Sequence, residues 1–97
     1  MGGATTYGRL PMNYRLCDHA AEELKRRAIP RELLDDVMSS PQQVVPATGG
    51  RKAYQSKTDF GGGRIMLLRA IVDDGEDPPV VVTVYRTTKT EKYWSKS

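Results

Sequence analysis

The six residues from Val80 to Tyr85 read V-V-V-T-V-Y, and no other stretch limits the fold so tightly. β-Branched and aromatic side chains suit a pleated, half-buried surface. The preceding segment, Asp73 to Pro79, holds four acids, a glycine and two prolines, so the strand starts cleanly after it. Alternation sends Val80, Val82 and Val84 to one face and Val81, Thr83 and Tyr85 to the other. The first set is wholly apolar and is expected to face a core. The second carries a hydroxyl and a phenol and faces something wetter. Arg86 and Lys89 stand where the strand ends.

The rest of the chain supplies that strand with partners. Asn13 to Cys17 reads as a short extended piece, and Asp18 as the N-cap of a helix over His19 to Arg27. Glu22–Arg26 and Glu23–Arg27 are acid-first pairs four residues apart on that helix. Pro30 restricts Ile29 and ends it, and a proline suits the first position of the next. Leu33, Leu34, Val37 and Met38 keep helical spacing through Arg31 to Met38, until Ser39-Ser40-Pro41 stops it. Beyond Pro41 the period changes to two. Gln43 to Pro46 is a short edge strand, Gly49-Gly50 a turn, Lys52 to Phe60 a strand, and Gly61 to Gly63 a hairpin connection. Arg64 to Val72 turns Met66, Leu68, Ala70 and Val72 toward the helices and Ile65, Leu67, Arg69 and Ile71 away. A last helical turn, capped by Thr87 or Thr88, ends near Trp94. Residues 1–12 show no periodicity and are expected to be a flexible tail; residues 13–95 are expected to form one domain. The predicted class is α+β: a short N-terminal strand and two helices packed on one face of a three- to four-stranded antiparallel sheet, with the other face open.

Charge is distributed unevenly along this plan. Residues 1–49 hold six Lys/Arg and six Asp/Glu, whereas residues 50–72 carry a net +4 and residues 78–97 a net +3. Between them lie the four acids of residues 73–77. The excess therefore falls on the sheet half, and a basic surface on one element suits a polyanion such as RNA. No apolar run approaches the length of a membrane span, and no secretory leader is visible. The single cysteine, Cys17, excludes an internal disulfide and fits a reducing, cytoplasmic setting.

The open sheet face is where chemistry is expected. Hairpin pairing brings Arg69, Thr83 and Tyr85 onto it, joined by Lys57 or Lys52 from the outer strand, with Arg64, Arg86 and Lys89 near strand ends. Arginine presents a planar fork that matches phosphate oxygens, and tyrosine can stack on a base or move a proton. His19 is the only histidine and the natural acid or base near neutral pH; its structural alternative is a local bond in the first helical turn. Arg69 paired with a carboxylate and Tyr85 packing only its ring are the corresponding alternatives on the sheet. Cys17 and His19 are too few for a zinc site, and the acidic loop lacks the ligand spacing of a calcium loop, so neither a metal nor a cofactor is expected.

His19-Ala20, Arg27 and Ile29 ahead of a second helix resemble the H-A-x-x-R-x-x-x-R-x-I signature of a small bacterial family of unknown function. Thr83 to Thr87, T-V-Y-R-T, resembles that family's last strand. The likeness spans roughly residues 14–94 and departs at Glu23, where arginine is usual, and at Ala28, where glycine is common. The family is similar in layout to BrnT- and RelE-type toxins, metal-independent ribonucleases held inactive by a protein antitoxin. The resemblance thus implies a small toxin-type endoribonuclease, with Arg69 and Arg86 stabilising the transition state and His19 or Tyr85 moving the proton. Lys52, Lys57, Arg64 and Lys89 would bind the RNA. Two further readings stand beside it. One is a binding module without turnover for nucleic acid or an acidic peptide. The other is a homodimer that buries the open face, where Ile65, Leu67 and Ile71 would otherwise be bare.

Overall fold

A computed structural model describes residues 13–96; the tail expected over residues 1–12 lies outside the described residues. The chain runs β1 (Arg15–Leu16), α1 (Asp18–Arg26), α2 (Arg31–Ser39), β2 (Gln43–Pro46), β3 (Lys52–Asp59), β4 (Ile65–Asp73), β5 (Val80–Thr87) and α3 (Thr90–Tyr93). Five strands form one sheet in the order β1-β5-β4-β3-β2. β2 to β5 make the antiparallel part, and β1 adds two residues parallel to β5 at the edge. The class is therefore α+β, with the expected order of elements. No helix among the described residues is long and apolar enough to cross a membrane.

The two helices pack on one face of the sheet. Ala20, Leu24, Ile29, Leu34, Val37 and Met38 meet Leu68, Ala70, Val72, Val81 and Val84 in a single buried cluster. Leu34, Leu68 and Val84 are fully buried; each such side chain contributes about 1.5–3 kcal/mol relative to exposure. The even positions of β4 thus face the helices as their alternation dictates.

β5 departs from simple alternation. Val72 pairs with Val81 but Ile71 pairs with Thr83, so Val82 is an extra residue, a β-bulge. Val81, not Val80 or Val82, enters the core beside Val84. The bulge sits where β1 ends: Cys17 N–H donates to Val81 O (3.1 Å), and the Cys17 thiol donates to Val82 O (3.4 Å). C-terminal to the bulge the phase is the expected one, with Thr83 and Tyr85 away from the helices.

The helix ends differ in detail from expectation. Asp18 is the first helical residue, and the cap position is Cys17, whose side chain makes no capping bond to the helix. Asp18 therefore acts by its charge near the positive end of the helix. At the other end Ala28 adopts φ +53°, the left-handed conformation. Its amide donates to Lys25 O and that of Ile29 to Leu24 O, a Schellman closure that also packs Ile29 with Leu24. β1 is tied to α2 by Tyr14, whose hydroxyl donates to Asp35 (2.5 Å) and accepts from Arg31 Nε (2.9 Å). Burial, then the Asp35 bond, pushes the Tyr14 phenol up to about 12.

The face away from the helices is not open. α3 and the residues after it fold back across it. The Gln55 amide donates to Tyr93 O (3.1 Å), the Gln43 amide to Ser95 O (2.8 Å), and Ser95 N–H donates to Gln43 Oε1 (3.0 Å). Ala53, Gln55 and Leu67, all on this face, are fully buried. The expected cap of α3 is also different: Thr87 Oγ accepts from Lys89 N, and α3 begins at Thr90 with no side-chain cap.

Candidate functional site

Three neighbouring strands meet in one rung at Gln55, Arg69 and Tyr85. Arg69 comes from the central strand, β4, and only 8% of it is exposed. Its Nε donates to Gln55 Oε1 (2.8 Å) and its Nη1 to the Tyr85 hydroxyl (2.5 Å). Its guanidinium stacks against Tyr93 at 4.2 Å and lies 5.7 Å from the Tyr85 ring. Gln55 is held in turn: its amide donates to Gln43 Oε1 (2.8 Å) and Tyr93 O.

Among the described residues no carboxylate pairs with Arg69. Its partners are neutral acceptors and two π faces. A buried charge normally finds an opposite charge, because desolvation is expensive. The comparison lies within this molecule: Glu23, 3% exposed, is gripped by Arg27 and Arg26, with His19 at 4.0 Å. The Arg27 bond is the largest influence holding the Glu23 carboxyl below its ordinary range. The acid is neutralised; the buried arginine is not.

The exposed side of Arg69 opens on a shallow cleft of about 550 Å³. Its lining combines Arg69, Tyr85 and Tyr93 with Arg51, Thr48 and Ile71. Arg51 follows the 3₁₀ turn Thr48–Gly50, where Gly49 and Gly50 take φ +74° and +76° and let the chain reverse before β3. Arg51 is exposed and has no acidic partner among the described residues. The two phenols differ. Burial leads in raising Tyr85, whereas the side-chain bond from Tyr85 leads in lowering Tyr93. Tyr85 therefore keeps its proton while Tyr93 is the easier to ionise.

The structure brings Arg69 and Tyr85 together and separates them from the other residues singled out in the sequence. Arg86 pairs with Leu68, on the helix side of the sheet, and its guanidinium lies over Phe60 at 4.9 Å. It cannot join Arg69 on one phosphate from the opposite face. His19 is on α1, beside Glu23, likewise on the helix side. Lys52 bonds Asp74 at 2.6 Å and is paired. Lys57 shares the Arg69 face, but its ammonium lies 4.2 Å from the Trp94 ring. Arg64 lies in the β3–β4 connection and Lys89 after β5, at the end of the sheet away from Arg51.

Sequence reasoning passed over Arg51, Gln55 and Tyr93. Gln55 carries a visible signal, since it alternates with Tyr54 and shares a phase with Lys57. Tyr93-Trp94 carries another, as an aromatic pair with no place on either helix stripe. No protein-family model, no curated protein and no solved structure matches this chain.

Proposed function

We propose that this protein binds RNA through the cleft floored by Arg69. The observation that carries the reading is a buried guanidinium with no carboxylate partner among the described residues, held in place by Gln55 and Tyr85 and facing a cleft that also contains Arg51. Preorganised arginine forks favour phosphate oxygens, and phenol rings beside them offer stacking surfaces for bases. Binding of a polyanion would supply the negative charge that no described residue gives to Arg69. The test is fluorescence anisotropy with short single-stranded RNA at several salt concentrations. Affinity should fall with salt, and Arg51→Gln should lower the slope of log K against log salt by about 0.7, the share of a single neutralised phosphate. Salt-independent binding, or none, sinks the reading.

The tyrosine pair favours a second reading, cleavage. Two titratable groups pushed in opposite directions are the usual preparation for acid–base chemistry. In that reading the protein is a metal-independent endoribonuclease of toxin type, restrained by a protein antitoxin. Tyr93 would take the proton of a ribose 2′-hydroxyl, Tyr85 would act as donor, and Arg69 would stabilise the phosphorane. His19 and Arg86 have no part in it. Cleavage of RNA in the presence of chelator, lost in both Tyr85→Phe and Tyr93→Phe, is the expected result. Intact RNA after prolonged incubation leaves binding alone.

A further inference from the structure

We infer that the Arg69 cleft receives a terminal phosphomonoester at the end of an RNA strand, in preference to a phosphodiester within it. This rests on the RNA-binding reading above and narrows it.

Access to Arg69 is restricted. A phosphodiester backbone runs along a surface and needs a row of cations. On this face the row would be Lys57, Arg69 and Arg51. The C-terminal segment interrupts it: Trp94 lies against the Lys57 ammonium, Tyr93 stacks on Arg69, and Ser95 is fastened to Gln43. Leu67, in the rung of Lys57, is fully buried. The cleft is lined from the Ile71 and Arg51 side of Arg69 and takes no residue from the Lys57 rung. Arg69 itself is only 8% exposed. A group that projects from a chain end reaches so small an opening more readily than the middle of a strand does.

Charge favours the same group. A phosphomonoester carries about −1.5 to −2 at neutral pH and offers three free oxygens, against a single charge and two free oxygens for a diester. Two guanidiniums without carboxylate partners among the described residues, Arg69 and Arg51, match the higher charge. The Tyr85 hydroxyl accepts from Arg69 Nη1 and so fixes the guanidinium that faces the cleft.

The experiment compares one RNA sequence made with a 5′-phosphate, with a 3′-phosphate, or with hydroxyls at both ends. Binding to the full chain is read by competition against a labelled strand. One phosphorylated end should bind about tenfold or more tighter than the strand with two hydroxyl ends, the worth of a charge-assisted hydrogen bond. The end that does so identifies the polarity. Arg51→Gln, an exposed change that leaves the packing intact, should abolish the preference while residual binding remains. Arg69→Gln should do the same if it folds. Equal affinity for the three strands, with salt-dependent binding still weakened by Arg51→Gln, overturns end recognition and leaves the RNA-binding reading standing. Absence of binding by all three overturns both.

Discussion

The guanidinium of Arg69 lies 4.2 Å from the centroid of the Tyr93 ring, so a cation from the central strand is capped by an aromatic from the last helical turn. The two residues are joined again through the backbone, because Gln55 bonds both Arg69 Nε and Tyr93 O. Tyr93 and Tyr85 meet edge to face at 6.0 Å. Site and C-terminal segment are one packed unit, and changes in one should be felt in the other.

The phenols provide the most direct test of this coupling. The bond from Tyr85 is the largest cause of the lowered Tyr93 pKa. Tyr85→Phe should therefore move the Tyr93 titration upward, toward its ordinary value of 10.0. Ring resonances of specifically labelled tyrosine, followed with pH, report it. An unchanged Tyr93 titration in the variant would exclude the proposed phenol–phenol bond.

Gln55 is fully buried and serves Arg69, Gln43 and Tyr93 together. Gln55→Ala removes an acceptor from a buried cation and a donor from a backbone carbonyl. A bond to a charged group contributes about 1.5–3 kcal/mol, and an unfilled cavity adds to the loss. Denaturant unfolding should show a destabilisation of about 2–4 kcal/mol. A cost below about 0.5 kcal/mol would place Gln55 among ordinary surface residues.

Glu23 sets the acid limb of stability. Its folded pKa lies below the ordinary value of 4.5, chiefly through Arg27. The stabilisation is present above that ordinary value and is lost as pH falls through the folded pKa. Wild-type protein should lose stability on acidification below about pH 5, and Glu23→Gln should be less stable at neutrality with a flatter acid limb. Thermal melts at several pH values separate the two profiles. Parallel profiles would show that Glu23 titrates as it does in the unfolded chain.

Ala28 holds a left-handed conformation that costs a residue with a Cβ roughly 1–2 kcal/mol. Ala28→Gly should therefore raise stability by about 0.5–1 kcal/mol, since glycine's greater unfolded-state entropy returns part of the gain. The readout is a higher Tm with an unchanged circular dichroism spectrum. A lowered Tm would mean that the Ala28 methyl contributes more than the strain removes.

Much of this architecture is legible in the residues. Pro30 and Pro41 bound the second helix, the even positions of β4 form the sheet side of the core, and the turn glycines mark where strands reverse. Arg69 and Tyr85 fall on one face because alternation and hairpin pairing require it. Two things were not legible. Alternation has no mark for an extra residue among three consecutive valines, so the bulge at Val82 and the inward turn of Val81 escape it. Nor does local pattern show that a short polar segment will lie back across the sheet. Thr90 to Ser95 are placed by bonds to Gln43 and Gln55, which lie 38 to 52 residues earlier, and by stacking on cations that period and charge assign to a bare surface.

Val82 is surplus to the ladder. Without it, Val81 and Thr83 would stand opposite Val72 and Ile71 in unbroken step, with the same side chains turned inward and outward. Deletion of Val82 should therefore leave Tyr85 beside Arg69, with the loss felt at the Cys17 thiol bond to the Val82 carbonyl and not at the cleft.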